Sequence, residues 1–435
     1  MERMAMAALQ DWKARPGHKP LVIRGARQVG KTWLMKAFGA TAYEQVLYVN
    51  FDHNAQMKAL FEGSMDVERL LMGLALYAGQ KIEPASTLLI FDEVQEVPAA
   101  LASLKYFNEN APEYDIVCAG SLLGVALHEG TSFPVGKVEF LDLYPMSFFE
   151  FLQAMGKEMY AQVLQQGDFA MAGTFKQDYE LLLKQYYYVG GMPEAVQAFA
   201  TRRDYNEVRE IQQRILTAYE QDFSKHAPYE VVPRIRMLWQ SVPGQLAKEN
   251  KKFIYGQVRE GARAKDYELA LLWLADCGLV HQVHRVSAPR LPLAAYEDLK
   301  AFKLYLLDVG LLACMSGLRQ EVLLAGDALF TEFKGALTEQ YVLQQLQTLR
   351  GVNVYYWTND RGNAEVDFLA DTGREIVPIE VKAALNLRAK SLRVYREKYA
   401  PAHAVRTSMA DYKEEEAGLV NLPLWAVETL PQIWA

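Results

Sequence analysis

Gly25-Ala26-Arg27-Gln28-Val29-Gly30-Lys31-Thr32 follows the apolar run Leu21-Val22-Ile23 and precedes Trp33-Leu34-Met35-Lys36-Ala37-Phe38. A buried strand, a loop with glycines at its first and sixth positions, and Lys-Thr opening a helix form a phosphate-binding loop in its required context. Successive N–H groups of the loop and helix N-terminus converge on anionic oxygens. Gly25 and Gly30 let the backbone turn sharply and approach the ligand without a Cβ in the way. Lys31 is expected to neutralise β/γ-phosphate charge, and Thr32 to complete a Mg²⁺ shell. All eight residues, Gly25 to Thr32, are therefore candidate ATP contacts.

Working outward, Thr87-Leu88-Leu89-Ile90-Phe91 reads as a buried parallel strand that ends in Asp92-Glu93. Ligands of doubly wound sheets bind at the carboxyl ends of the strands. Asp92 is expected to hold Mg²⁺ through water and Glu93 to orient or deprotonate the attacking water. Outside this context, such an acidic pair could equally cap a helix. Tyr114 to Ser121 reads as a further strand, with Ser121 placed to sense the γ-phosphate or position the same water.

The chain has 435 residues, 51% of them hydrophobic, and a net charge of −7. That length predicts two to four domains. Met1 to Lys19 carries charges throughout and no apolar h-region, so no signal peptide is expected. Leu269 to Val280 is apolar but too short to span a bilayer, so no membrane contact is expected. Cys118, Cys277 and Cys314 are widely spaced. They fit neither a zinc site nor a disulfide framework and point to a reducing compartment such as the cytoplasm.

Residues from about 20 to 145 alternate strands and helices. A helical stretch follows to about 230, interrupted by Gly190-Gly191-Met192-Pro193-Glu194. Beyond Val231, amphipathic helices over 234–248 and 264–276 suggest a helix-turn-helix. Leu279–Val283 and Phe302–Leu306 could pair as its wing. Between Pro233 and Lys265 lie eight Lys/Arg (Arg234, Arg236, Lys248, Lys251, Lys252, Arg259, Arg263, Lys265) against two acids, Glu249 and Glu260. A basic helix-turn-helix suits a phosphate backbone; a solvated face or a protein-contact module would look the same.

From about 327 onward, a helix (Leu337 to Leu349) leads into strands over 353–357, 364–370 and 375–382. Asp371-Thr372-Gly373 is a turn, so the last two strands should form a hairpin. Period-two alternation points Glu380 and Lys382 the same way and brings Asp367 near Glu380. Glu339, on the preceding helix, could supply a third carboxylate. Carboxylates around a divalent ion beside a lysine make a phosphodiester-hydrolysis site, so a second Mg²⁺ or a Mn²⁺ is expected between Glu339, Asp367 and Glu380. Lys382 is then the catalytic cation. The alternative is a charged edge strand.

Gly25–Thr32 with Asp92-Glu93-Val94-Gln95 resembles the AAA+-like, STAND-related ATPases of bacteria and archaea. Leu143-Tyr144-Pro145-Met146-Ser147-Phe148, Gly190–Ala195, Asp308-Val309-Gly310-Leu311-Leu312 and Ala364–Phe368 with Pro378–Lys382 look like further signatures of that group. The resemblance implies an α/β P-loop ATPase domain over 1–150 and a helical lid-like segment over 151–230. It implies a winged helix-turn-helix over 231–325 and a restriction-endonuclease-like, PD-(D/E)XK domain over 326–435. It also suggests Gly191 and Pro193 near the adenine. No arginine occurs between Arg69 and Arg202. Lys137 is the nearest cation to the usual position of a finger arginine and lacks its planar fork, so slow switch-like turnover is expected.

The expected function is a P-loop ATPase whose nucleotide state controls a nuclease-like effector acting on DNA or RNA. The alternatives are a regulatory switch binding a protein partner or a second copy of itself, with an inert nuclease fold, and a DNA-dependent motor or loader.

Overall fold

The computed structural model describes residues 3–120, 134–248, 251–324, 331–359, 362–383, 389–415 and 418–434. Two compact units emerge. One runs from the N-terminus through Tyr144 and includes Asp276–Gly278; the other comprises Pro145–Ala275 and Leu279 onward.

The first unit is built on five strands: β1 (Leu21–Arg24), β2 (Gln45–Asn50), β3 (Thr87–Asp92), β4 (Asp115–Ala119) and β5 (Glu139–Asp142). Their order is β2-β3-β4-β1-β5, and every pairing is parallel. All six residues of β3 and all five of β4 are buried, as continuous apolar runs in a covered parallel sheet require. Helices Lys31–Ala42, Ala55–Glu62, Val67–Ala78 and Pro98–Asn110 separate the strands. Phe91 from β3 meets Phe51, Phe61 and Phe107 edge-on, with ring centroids 5.5, 5.7 and 6.5 Å apart. Burying each ring contributes roughly 1.5–3 kcal/mol, which anchors the strand that carries Asp92. From β1 the chain crosses to β2 at one edge, and β5 returns on its other side. The loop after β1 therefore lies at the topological switch point, where such sheets bind ligands.

The second unit opens with helices. Phe148–Ala154 begins with a capping box between Ser147 and Glu150. Lys176–Val189, Pro193–Arg202, Tyr205–His226, Val232–Leu246 and Ala264–Asp276 follow. Its sheet has eight strands: β6 (Val280–Val286), β7 (Glu297–Leu306), β8 (Asn353–Thr358), β9 (Glu365–Asp371), β10 (Ile376–Val381), β11 (Ala404–Ser408), β12 (Lys413–Glu414) and β13 (Leu419–Pro423). The order is β12-β13-β11-β10-β9-β8-β6-β7. β6 and β7 form the expected antiparallel hairpin, with Val280 opposite Leu306. That hairpin also pairs with β8, at Arg285↔Tyr356 and Val286↔Trp357. The boundary expected near residue 325 thus falls between strands of one sheet, and the hairpin extends that sheet instead of standing free as a wing.

Helix Thr331–Thr348 is buried from Ala336 to Leu346 although it carries three glutamines there. Each glutamine meets backbone groups. Gln340 exchanges hydrogen bonds with Leu306, accepting its N–H at 2.9 Å and donating to its carbonyl at 2.6 Å. Gln344 and Gln345 accept the N–H groups of Val309 and Phe148, at 2.9 and 2.8 Å. These N–H groups belong to a strand end and to the first turns of two helices, where backbone donors lack intrahelical partners. Polar side chains in this core satisfy the backbone, which lets a helix of weak amphipathicity lie buried.

Candidate functional site

Gly25 has φ +148°, and a Cβ built there would lie 2.2 Å from the Leu143 carbonyl oxygen. Only glycine fits. Gly30, at φ +96°, is the N-cap of helix Lys31–Ala42, and Gln28 is also left-handed at φ 66°. Left-handed or glycine-only conformations at residues 25, 28 and 30 therefore let the loop turn sharply. Val29 is fully buried and pins the loop, and Arg3 donates to the Val29 and Tyr144 carbonyls at 2.8 and 2.7 Å. Lys31 is buried, with Nζ 2.8 Å from the carbonyl oxygens of both Gly25 and Ala26. Burial pushes its ammonium down to about 8, while Glu93 and Asp92 pull it back up.

Thr32 Oγ1 donates to Asp92 Oδ2 at 2.7 Å, and Tyr48 OH donates to the same oxygen at 2.9 Å. Asp92 is buried. A hydroxyl and a carboxylate side by side at a phosphate loop are the hard oxygen donors that Mg²⁺ prefers. These residues fit the ion. Glu93 follows at φ 51°, a left-handed conformation uncommon for this residue type, and its Oε2 accepts from Gln95 Nε2 at 2.7 Å. The strand end thus turns sharply and sends the two carboxylates to different partners. Ser121 lies outside the described residues. Ala26 is buried and Arg27 partly exposed, both on the loop.

Gly278 lies just beyond helix Ala264–Asp276. It has φ +69°, and a Cβ there would lie 3.3 Å from the Ala26 backbone nitrogen. The segment Asp276–Gly278 therefore packs on a phosphate-loop N–H.

In the second unit, Gly191 and Pro193 belong to a buried node. Asp308 is fully buried. Its Oδ2 accepts the Gly191 N–H at 2.6 Å and Gln344 Nε2 at 3.1 Å, and its Oδ1 accepts the Leu311 N–H at 2.9 Å. A Cβ on Gly191 would lie 2.1 Å from the Met146 carbonyl oxygen. Pro193 opens helix Pro193–Arg202. The segments around Met146, Gly191 and Asp308, quoted separately above, thus form one chain of bonds: the Met146 N–H donates to the Gly191 carbonyl, and the Gly191 N–H to the Asp308 carboxylate. Close backbone packing there accounts for the glycine.

The C-terminal residues also converge. The β9–β10 register runs from Ile376↔Asp371 to Ile379↔Phe368, which puts Asp367 beside Glu380. Asp367 Oδ2 accepts the Val381 N–H at 2.8 Å, and Lys382 Nζ lies 2.6 Å from Glu380 Oε1. Burial pushes the Asp367 carboxyl well above the usual range, and Glu339 and Glu380 add to the push. Burial raises Glu380 as well, with Lys382 opposing. Burial would raise Glu339 too, but the ammonium groups of Lys251 and Lys303 outweigh it and hold that carboxyl below its ordinary value.

Lys251, Lys303 and Glu365 did not figure in the expected site. Lys251 pairs with Glu339 Oε1. Lys303 is fully buried on β7, with Nζ 2.6 Å from Glu365 Oε1. Lys251 was counted above among the basic residues facing a phosphate backbone; buried in an ion pair, it is no part of that surface. The signal for Lys303 was legible: a lone lysine inside the apolar run Phe302–Leu306. Among the described residues, no group of three or more His, Cys, Asp or Glu side chains is arranged to hold a metal ion. Among them, too, no helix is long and apolar enough to cross a membrane.

The loop, the acidic strand end and the strand order define a P-loop nucleotide-binding domain. Residues 17–152 match the family model described as an AAA domain. Residues 180–322 and 334–427 match two models described as domains of unknown function, DUF8612 and DUF4143. The chain thus contains an AAA-type P-loop ATPase domain. No curated protein matches it. Among solved structures, it is similar to the Walker-type ATPase PABY2304 of Pyrococcus abyssi at 13% identity, over 72% of this chain and 95% of that one, with a TM-score of 0.46. AMPPCP-bound DnaA from Aquifex aeolicus aligns at 13% identity over 63% and 87% of the two chains, with a TM-score of 0.29. Cdc6p from Pyrobaculum aerophilum aligns at 12% identity over 71% and 90%, with a TM-score of 0.27.

Proposed function

We propose that this protein is an ATP-driven switch: a P-loop ATPase whose nucleotide state controls its C-terminal unit. The observation that carries this reading is the convergence of Lys31, Thr32 and Asp92 on one phosphate loop, with Glu93 beside them. Backbone N–H groups from Gln28 to Thr32 bind the phosphates, and Lys31 neutralises their charge. Thr32 and Asp92 would hold Mg²⁺, which when bound spreads the charge developing on the transferred phosphoryl group. Glu93, steadied by Gln95, orients the attacking water. The stretch without arginine from Arg69 to Arg202 favours slow turnover. The test of control is hydrogen exchange of the C-terminal unit with ATP and with ADP. A difference at β7, β9 and β10 is expected; identical exchange would leave an ATPase without an effector.

For the C-terminal unit, the ion pairs of Glu339 and Glu380 favour a domain that binds a partner over one that cuts nucleic acid. A nucleic-acid partner has its own support: Arg234, Arg236, Lys248, Lys252, Arg259, Arg263 and Lys265 are exposed. Duplex DNA should then raise ATP turnover, with an effect that falls steeply as salt is added. Turnover indifferent to DNA at low salt would remove this reading and the motor or loader with it.

A further inference from the structure

The carboxylates of the C-terminal unit face one another, as a divalent-metal site would require, but they are not free to take a metal. Lys303 Nζ lies 2.6 Å from Glu365 Oε1, 3.8 Å from Glu339 Oε2 and 3.9 Å from Asp367 Oδ1. One ammonium thus faces carboxylates from helix Thr331–Thr348 and from two positions of β9. The side chain is fully buried. Its backbone is held on both sides, opposite Val283 in β6 and opposite Lys252 in an isolated bridge. The backbone that carries this ammonium is thus paired on both edges.

Several of the other oxygens are engaged as well. Lys251 pairs with Glu339 Oε1, and Tyr305 OH donates to Glu339 Oε2 at 3.2 Å. Asp367 Oδ2 takes the Val381 N–H, and Glu380 Oε1 takes Lys382. Glu380 Oε2 alone among these carboxylate oxygens is buried without a hydrogen-bond partner among the described residues. A hard divalent ion needs about six oxygen ligands at ~2.0–2.6 Å. Four carboxylates already face three ammonium groups here, so little negative charge remains to attract one.

We infer that Lys303 is the resident cation of this cluster: it takes the place of the divalent ion, so the wild-type chain binds no metal there, and a neutral residue at 303 opens the site to one. The inference deepens the reading of the C-terminal unit as a binding rather than a cutting domain. It concerns this cluster alone, and ATP turnover measured on the same samples tests the ATPase reading separately.

The experiment titrates nucleotide-free, full-length protein with Mn²⁺, following free Mn²⁺ by electron paramagnetic resonance. Wild type and Lys303→Arg should show no Asp367-dependent uptake at millimolar Mn²⁺. Lys303→Met should take up one ion per chain in the same range, and lose it again in Lys303→Met/Asp367→Asn. Mn²⁺ should also raise the thermal midpoint of Lys303→Met and leave that of wild type unmoved. Stoichiometric uptake by wild type that disappears in Asp367→Asn overturns the inference, as does a folded Lys303→Met that ignores Mn²⁺. If Lys303→Met does not fold, the wild-type and Asp367→Asn titrations decide the matter alone.

Discussion

At the scale of single residues, Lys31 meets two opposed demands. The fold buries its ammonium, which lowers its pKa to about 8, while phosphate binding requires the charged form. The folded chain gives up this proton at lower pH than the unfolded chain, whose lysine titrates near 10.5. The cost of burying the charge is present in full below about 8 and is relieved as pH rises toward 10.5, so stability increases across that window. Affinity runs the other way: ATP binding should weaken as pH rises above about 8. Calorimetric titrations across this range should show the fall in wild type and a flat profile in Lys31→Arg if that variant still binds, since arginine stays charged. Lys31→Ala should lose tight ATP binding altogether. Undiminished affinity in that variant would remove Lys31 from the phosphate site.

At the scale of elements, the buried node around Asp308 joins a strand end, two helix starts and helix Thr331–Thr348. Asp308→Ala leaves the N–H groups of Gly191 and Leu311 and the Gln344 amide without their acceptor. Buried donors without a partner cost about 1–3 kcal/mol each, so a drop in thermal midpoint of several degrees is expected, with ATP affinity retained by the first unit. An unchanged midpoint would mean that other groups take up these donors. Gly278→Val tests a different element. The new side chain meets φ +69° and the Ala26 nitrogen, so weaker ATP binding is expected with the second unit still folded, read by calorimetry and circular dichroism.

These elements also mark what the sequence made legible. The phosphate loop is local: glycine spacing, lysine and threonine are adjacent in the chain, and the flanking strand and helix follow directly. Asp92 and Glu93 follow from a continuous apolar run ending in acids. Helix Ala264–Asp276, β8, β9 and β10 lie within a few residues of their expected places. Partner choice was not local. Lys251 reaches Glu339 across 88 positions, and no periodicity specifies such a pairing. The burial of helix Thr331–Thr348 was not legible because three of its buried residues are glutamines, a residue type found mostly at surfaces.

At the scale of the whole molecule, the proposed switch requires that ATP be bound and slowly hydrolysed at the loop after β1. Glu93 is the residue expected to separate binding from turnover, because its carboxylate accepts from Gln95 whereas Thr32 donates to Asp92. The most direct measurement is single-turnover ATP hydrolysis by wild type and Glu93→Gln, with ATP affinity measured on the same samples. Equal affinity is expected, with hydrolysis slowed by about a hundredfold or more in Glu93→Gln, the loss that follows from removing a positioned catalytic group. Equal turnover in the two proteins, or no nucleotide binding by either, would contradict the proposed switch.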